Sequence, residues 1–421
     1  MKTFVIKTYG CSSNLADSNI MRNLLIESGW QENMVSDADY VIVNTCAVKN
    51  PTENKIIDYI NSLKQPRSNI VLAGCLPADK KFRDKYEGCL FLNPYNIHRI
   101  LDLIMEKAVD NSIYLEPTNF DKTKLGAKPE YPVIISPSIG CFGNCTYCRT
   151  KFAKPVFRSY PLENILDRID NYINQGVKEI WISSEDNGVY GRDVGLSFMD
   201  LLHSIEDRFA GRAMFRFGMA NPGFLLEHMV ELVEFFQITK AFYKFLHIPI
   251  QSSSDAVLSR MMRPYTAEKL NELFDSLTNT FLPEELTIST DVIVGFPGET
   301  DVDFILTKDF LQTYKPLIIN NSQFSSRPHT KAKLMTQLPS EIKKDRSRIL
   351  TRLCRKNIDD LLAEYRDKKI EIYPHKIDSN GNTLARTRNY VSVIVPNIKL
   401  VLFKWQTVKV KATENNHLLV E

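Results

Sequence analysis

The sequence predicts an α/β protein in three parts. These are an N-terminal open parallel α/β domain, a central partial (β/α)6 barrel, and a small C-terminal β-barrel of the oligonucleotide-binding kind. Three observations carry this expectation. The first ~110 residues alternate short apolar runs with helix-spaced segments, as parallel sheets do. A second, longer series of the same kind begins after a stretch at 108–130 that has no period and two prolines. From about residue 370 the pattern changes to short β-prone runs. The expected division is 1–110, a linker at 111–130, then 131–358 and 359–421. A chain of 421 residues has room for two or three domains at roughly 150 residues each.

In the first part, Thr3–Tyr9 is strand-like and ends in Gly10-Cys11. Ala16–Glu27 carries Leu, Ile and Met at helical spacing. Tyr40–Val43 is a buried-strand run followed by Asn44-Thr45-Cys46. Thr52–Leu63 is helix-like, with Thr52 as an N-cap. Ile70–Ala73 is apolar and is followed by Gly74-Cys75. Each of Cys11, Cys46 and Cys75 thus sits just past a predicted strand. In an open parallel sheet those ends share one edge, where ligand crevices lie. The three thiols are expected to converge. The plain alternative is three buried cysteines acting as small apolar groups, but all three fall at the same point of the repeat. Cys89 and Cys354 lack that placement and read as structural.

The central series has strand candidates at Val133–Ser136, Glu179–Ser183, Met214–Gly218, Phe245–Ile250, Thr287–Val294 and Leu317–Phe324. Helix-like stretches between them include Leu162–Asn174, Ser197–Arg208, Leu225–Phe236 and Ala267–Thr280. Six βα units suggest a full or partial parallel barrel with its active site at the C-terminal strand ends. Polar residues gather there: Ser184, Glu185 and Asp186, then Asn221, then Gln251, Ser252 and Ser253, then Gly295 and Glu299.

A charged helical stretch at 340–369 leads to five short strand candidates: Ile370–Tyr373, Thr383–Arg386, Tyr390–Val395, Lys399–Phe403 and Gln406–Lys411. Residues 361–421 hold ten Lys or Arg against six Asp or Glu, a net of +4, whereas the whole chain carries +3. Arg386, Arg388, Lys399, Lys404, Lys409 and Lys411 interleave with Tyr390 and Trp405. That composition suits a module that tracks a nucleic-acid backbone; a solvated basic surface is the alternative.

Composition excludes other classes. Hydrophobic residues are 43% and charged residues 24%, ordinary for globular chains. No run nears the ~18 apolar residues of a membrane span, and the opening residues read as a strand, not a secretory signal. A cytoplasmic monomer with no membrane association is expected. Thiols stay reduced there, so metal ligation or redox chemistry suits eight cysteines better than a disulfide framework.

Cys141, Cys145 and Cys148 form a CxxxCxxC on the loop after the first strand of the central series. A structural zinc site needs four closed ligands, and no histidine lies between His98 and His203. A thioredoxin-type pair needs two cysteines, not three. Iron–sulfur ligation fits: three thiolates on a four-iron cluster leave one iron open for a ligand. The same counting applies to Cys11, Cys46 and Cys75.

The CxxxCxxC loop, with Tyr147 before its last cysteine, resembles the radical S-adenosylmethionine superfamily. The rest resembles the methylthiotransferases over nearly the whole chain. The motifs are TYGCSSNLADS (Thr8–Ser18), NTCAVKNPTENK (Asn44–Lys55), AGCLP (Ala73–Pro77), HIPIQSSSDAVLSRMMRPYT (His247–Thr266) and DVIVGFPGET (Asp291–Thr300). The C-terminal barrel resembles the family's TRAM domain. NTCAVKNPTENK and SSEDNGVYGRDVG (Ser183–Gly195) look like the archaeal and eukaryotic branch, which modifies N6-threonylcarbamoyladenosine at position 37 of tRNA. Other branches act on isopentenyladenosine tRNA or on an aspartate of a ribosomal protein. A non-enzymatic RNA-binding iron–sulfur protein is the reading outside catalysis.

The resemblance implies two 4Fe-4S clusters, one on each cysteine trio. It implies S-adenosylmethionine on the open iron of the Cys141 cluster, cleaved by one-electron reduction to a radical that abstracts hydrogen from C2 of adenine. The second cluster would hold the sulfur to be transferred. Tyr147 would lie near the adenine of the cofactor, with Glu185, Asn221, Gln251 and Ser252 as further cofactor contacts by position. Partners would be tRNA and a one-electron donor such as ferredoxin or flavodoxin. Lys151, Lys154 and Arg158 are candidates for phosphate contact. One segment departs from the family: its Arg-Pro-Gly-Thr-Pro stands here as Arg327-Pro328-His329-Thr330-Lys331, which puts the local loop shape in question and leaves His329 as a loop residue or one facing substrate.

Overall fold

The computed structural model describes residues 1–48, 50–106, 114–126, 128–414 and 416–420. Part of the expected linker, at 111–113 and 127, lies outside the described residues.

The N-terminal sheet contains β1 (Thr3–Thr8), β2 (Gln31–Glu32), β3 (Tyr40–Thr45), β4 (Ile70–Gly74) and β5 (Leu90–Leu92), in the order β2-β1-β3-β4-β5. All pairs are parallel. Every residue of β3 and β4 is buried, because helices cover both faces of a parallel sheet and its inner strands become continuous apolar runs. Two short strands, β2 and β5, have no sequence counterpart above; two or three residues are too few to show a period. The helix expected from Thr52 begins at Asn50, so Thr52 lies inside its first turn and is not the cap.

The central domain begins with β6 (Val133–Ile135). A two-residue antiparallel clip follows, β7 (Ser138–Ile139) against β8 (Arg158–Ser159). Then come β9 (Glu179–Ile182), β10 (Met214–Phe217), β11 (Phe245–His247), β12 (Thr287–Val294) and β13 (Ile318–Gln323). Two three-stranded parallel sheets, β6-β9-β10 and β11-β12-β13, are joined by bridges from Phe215 to Phe242 and from Met219 to His247. The result is a six-strand partial barrel. Apolar faces of the surrounding helices, such as Ile165, Leu166 and Ile169 in helix Leu162–Asn174, fill the shell against Ile180, Phe215 and Leu246.

Helix Ser340–Ala363 runs from the central domain to the last one. Its C-terminal Leu362 belongs to the core of a closed five-strand barrel, ordered β14 (Lys369–Ile377), β15 (Thr383–Thr387), β16 (Ser392–Val395), β18 (His417–Val420) and β17 (Gln406–Glu414). The expected strand at Lys399–Phe403 is instead a loop, and β18 takes its place. Phe403 turns with φ at +59°, which a strand cannot hold.

The small barrel docks on the N-terminal ends of the central strands. Met214, Tyr243 and Phe245 pack with Tyr373 and Tyr390. Beneath them buried Glu179 accepts from Tyr243 Oη at 3.1 Å and Trp181 Nε1 at 3.0 Å. The small barrel is therefore at the opposite end of the partial barrel from its C-terminal strand ends.

Candidate functional site

Cys11, Cys46 and Cys75 follow β1, β3 and β4, which are neighbours in the sheet. Strand spacing of about 4.8 Å puts their backbones in one row along the sheet edge. Two glycines make the close approach possible. Gly10 has φ +108°, and a Cβ there would meet Cys46 Cβ at 2.6 Å; Gly74 has φ +88°, and a Cβ would meet the Thr45 carbonyl at 2.4 Å. Under the row lies a polar frame. Asn14 Nδ2 donates to the carbonyls of Tyr9 and Thr45 at 2.8 and 2.9 Å, Asn44 Nδ2 to that of Asn14 at 2.7 Å, and Cys75 N to that of Thr45 at 3.0 Å. Burial pushes the Cys46 thiol up, with Cys11 adding to the effect, and pushes Cys75 up to about 12.

The second trio lies on the loop that the β7–β8 clip closes. Thr146 pins this loop: its N donates to Met261 O at 3.0 Å, its Oγ1 to Arg260 O at 2.8 Å, and its carbonyl accepts from Ala332 N at 2.9 Å. Burial raises Cys141 and Cys148. Gly143 N donates to Cys141 Sγ at 3.3 Å, and Arg263 Nη1 to Cys145 Sγ at 3.1 Å. Arg263 also donates to Pro249 O at 3.1 Å and to Tyr265 Oη at 2.7 Å. Arg263 belongs to the His247–Thr266 motif, but no local period marks a residue 118 positions from the sulfur it meets.

The donor chemistry of both trios suits an iron–sulfur cluster. Cys46, Cys75, Cys141 and Cys148, whose ionisation desolvation suppresses, become ligands when a metal supplies the positive charge. A cluster takes one thiolate per iron, so three thiols suit a four-iron centre with one iron left open.

The two trios face each other across a charged seam. Ser12 and Ser183 hydroxyls meet at 2.6 Å. Lys154, buried, ion-pairs with Glu185, whose other oxygen accepts from Gly140 N at 3.0 Å. Burial works against the charge of Lys154, but Glu185, Cys75 and Asp17 outweigh it and hold its pKa well above the ordinary value. Arg149, directly after Cys148, bridges Glu53 at 2.6 Å and Asp79 at 2.9 Å. Arg327 donates to the same Glu53 and to Ala47 O at 2.7 Å. His329 reaches Asp79 at 3.1 Å and stacks on Phe152 with ring centroids 4.1 Å apart. Its φ is +61°, the left-handed region that glycine enters most readily.

Beside the seam is a cavity of about 950 Å³, lined in part by Tyr147, Cys148, Gln251, Asp291, Arg327 and Lys343. Its size suits a cofactor and a base together. The structure distributes the proposed cofactor contacts unevenly. Tyr147 and Gln251 share this cavity, Gln251 with a strained φ of +63°. Glu185 is occupied by Lys154 and Gly140. Asn221 Oδ1 caps a helix by accepting from Gly223 N at 3.1 Å. Ser252 Oγ lies 3.1 Å from Thr307 Oγ1. Asp186, close by, accepts from Gly188 N and Asn221 N at 3.1 and 3.0 Å, and burial pushes it up to about 6.

The basic residues also divide. Lys399, Lys404, Lys409 and Lys411 are exposed on the small barrel. Arg386 and Arg388 instead turn into the docking interface: Arg386 stacks over Tyr390 at 4.6 Å, and Arg388 donates to Thr239 O at 2.7 Å. Both are half-buried and engaged by partners within the protein. Lys154, which is buried, is likewise engaged, as is Arg158, which donates to Asn119 Oδ1 and the carbonyls of Thr118 and Phe120 at 2.8–3.1 Å. Lys151 donates to Cys141 O at 2.7 Å. Local sequence shows a charge but not the element that will pack over it.

Comparison with known proteins adds the following. The model of "Uncharacterized protein family UPF0004" matches residues 3–87, and that of the "Radical SAM superfamily" matches residues 135–311. A threonylcarbamoyladenosine tRNA methylthiotransferase of Danio rerio is 35% identical, covering 97% of this chain and 76% of the relative. A probable threonylcarbamoyladenosine tRNA methylthiotransferase of Pyrococcus abyssi is 37% identical, covering 94% of each. The Homo sapiens relative of the same name is 38% identical, and the match spans 62% of its length. Among solved structures, a radical S-adenosylmethionine methyltransferase of Kitasatospora setae, with cobalamin and a 4Fe-4S cluster bound, aligns with a TM-score of 0.56 at 12% identity, covering 79% of this chain and 74% of that one. That likeness concerns the fold.

Proposed function

Because this chain belongs to the threonylcarbamoyladenosine tRNA methylthiotransferase family, we propose that it adds a methylthio group to C2 of N6-threonylcarbamoyladenosine at position 37 of tRNA. The observation that carries this reading is the apposition of two cysteine trios across one seam, beside a cavity large enough for the reactants. When bound, a 4Fe-4S cluster with S-adenosylmethionine supplies the radical that removes an unactivated hydrogen, a step no acid–base side chain performs.

The chain's own residues have four tasks. Cys141, Cys145 and Cys148 hold one cluster, and Cys11, Cys46 and Cys75 a second that carries sulfur. Tyr147 and Gln251 line the space where the cofactor sits. Arg149 and Arg327, through Glu53, Asp79 and the Ala47 carbonyl, tie the sulfur-bearing domain to the central one, which keeps both clusters within reach of one base and excludes water. The base leaves its stack to enter, and exposed lysines of the small barrel, Lys399, Lys404, Lys409 and Lys411, hold RNA. The protein works as a cytoplasmic monomer with a ferredoxin- or flavodoxin-type donor. Among the described residues no helix is long and apolar enough to cross a membrane.

The test is anaerobic reconstitution, metal analysis and turnover. About eight irons per chain are expected for two four-iron clusters. With reductant, S-adenosylmethionine and tRNA bearing threonylcarbamoyladenosine, nucleoside mass spectrometry should show the methylthio product. Replacing Cys11, Cys46 and Cys75 together should halve the iron and abolish the product while cofactor cleavage persists. Product formation undiminished in that variant would end the sulfur-transfer assignment.

A further inference from the structure

The cavity and the small barrel lie at opposite ends of the partial barrel, and one helix joins them. Helix Ser340–Ala363 has Ser340, Lys343, Lys344 and Ser347 on the cavity wall at its start. At its other end Leu362 enters the core of the small barrel, and the helix packs against β17. Its 24 residues span roughly 36 Å at 1.5 Å per residue.

The helix carries seven basic side chains: Lys343, Lys344, Arg346, Arg348, Arg352, Arg355 and Lys356. Three are compensated. Arg346 is buried and paired with Glu299 and Asp301, Arg348 pairs with Asp345 at 3.0 Å, and Lys356 pairs with Asp360. Lys343, Lys344, Arg352 and Arg355 have no acidic partner among the described residues. Lys344, Arg348, Arg352 and Arg355 are exposed and, at intervals of three and four residues, share one helix face. Gln323, Lys344, Ser347, Arg348, Thr351 and Arg352 line a second groove that continues outward from the cavity. Basic groups at one-turn intervals, three of them (Lys344, Arg352 and Arg355) without an acidic partner among the described residues and Arg348 shared with Asp345, with hydroxyl and amide groups between, match a phosphodiester strand.

We infer that this face of helix Ser340–Ala363 is a phosphate-backbone track that leads the RNA strand between the cavity and the small barrel. The inference rests on the proposed tRNA substrate. A base inserted beside Tyr147 must leave its flanking phosphates at the rim, where Lys343 and Lys344 stand. An RNA that also reaches the small barrel must cross the helix to do so. An acidic protein surface is the other partner such a face could take; continuity with the cavity favours RNA, because a protein donor needs no path into it.

The experiment uses the reconstituted full chain under anaerobic conditions, with Lys344→Gln, Arg352→Gln and Arg355→Gln combined. The probe is an unmodified anticodon stem-loop RNA, followed by fluorescence anisotropy across a salt series. Thermal melting and iron content verify integrity. Lys269→Gln, on a helix elsewhere and paired with Glu272, is the control. The triple variant should bind RNA about 10–100-fold more weakly, and its slope of log affinity against log salt should be shallower by about 2, near 0.7 per lost single-strand contact. If wild type binds RNA and the triple variant matches its affinity and slope, the track is overturned while the proposed activity stands. If instead the triple variant keeps RNA but loses binding of a flavodoxin-type protein, the face belongs to the donor and the inference is likewise overturned. Failure of wild type to bind RNA at all would strike the proposed function itself.

Discussion

Arg263 Nη1 donates to Cys145 Sγ at 3.1 Å. The same guanidinium is anchored by the Pro249 carbonyl and Tyr265, so its direction is fixed before any cluster is bound. Donors to a ligating sulfur stabilise the reduced, more negative state of a cluster. Arg263→Met should lower the reduction potential of the Cys141 cluster by about 50–100 mV, the equivalent of one charge-assisted hydrogen bond. A potentiometric titration followed by electron paramagnetic resonance measures this. An unchanged potential with full iron would remove Arg263 from the role.

Lys154 and Glu185 form a buried pair at the seam, with side chains 3% and 8% exposed. Deleting one partner leaves the other charge buried, which costs about 3–5 kcal/mol, whereas replacing both with apolar groups is near neutral. Lys154→Met should lower the melting temperature sharply, and Lys154→Met with Glu185→Leu should recover most of the loss. Additive losses in the double variant would contradict a direct pair.

His375 is buried in β14 and stacks against Tyr131 with centroids 5.5 Å apart. Burial, with Arg386 nearby, lowers its pKa to about 4. The unfolded chain takes up a proton near the ordinary value of about 6.5, so it binds more protons than the fold between those limits. The stability His375 contributes is complete above about pH 6.5 and is lost as pH falls through about 4, by an amount on the order of 1–3 kcal/mol. Melting temperature against pH should fall less steeply for His375→Phe, which keeps the stacked ring. Parallel curves would refute the assignment.

Arg388 ties the small barrel to the central domain through Thr239 O at 2.7 Å, while Lys244 N donates to its own carbonyl at 2.9 Å. Arg388→Ala should cost about 1–2 kcal/mol of stability and leave the salt slope of RNA binding where it was. Lys404→Ala, at an exposed position, should do the reverse. A slope reduced by about 1 in Arg388→Ala would return that residue to the RNA surface.

Much of the site was legible along the chain because its parts are local. Glycine before Cys11 and Cys75, and the tight spacing of Cys141, Cys145 and Cys148, are properties of short segments. The sequence pattern favours a strand at Lys399–Phe403 and shows no signal for β18, because barrel closure depends on which segment finds the open edge beside β16.

Neighbouring residues alone set where strands end, which loops carry thiols, and that the central series is parallel, since periodicity and turn chemistry act within a few positions. Tertiary packing settled the fate of the charges. Lys154, Arg386 and Arg388 look in sequence like any surface cation, yet Lys154 is buried against Glu185, 31 positions away, and the half-buried Arg386 and Arg388 are held by Tyr390 and by the Thr239 carbonyl, 4 and 149 positions away. The ladder on helix Ser340–Ala363 takes its meaning from the tertiary positions of its two ends, one on the cavity wall and the other in the small barrel. Electrostatic worth follows from burial and partners, and both are properties of the assembled chain.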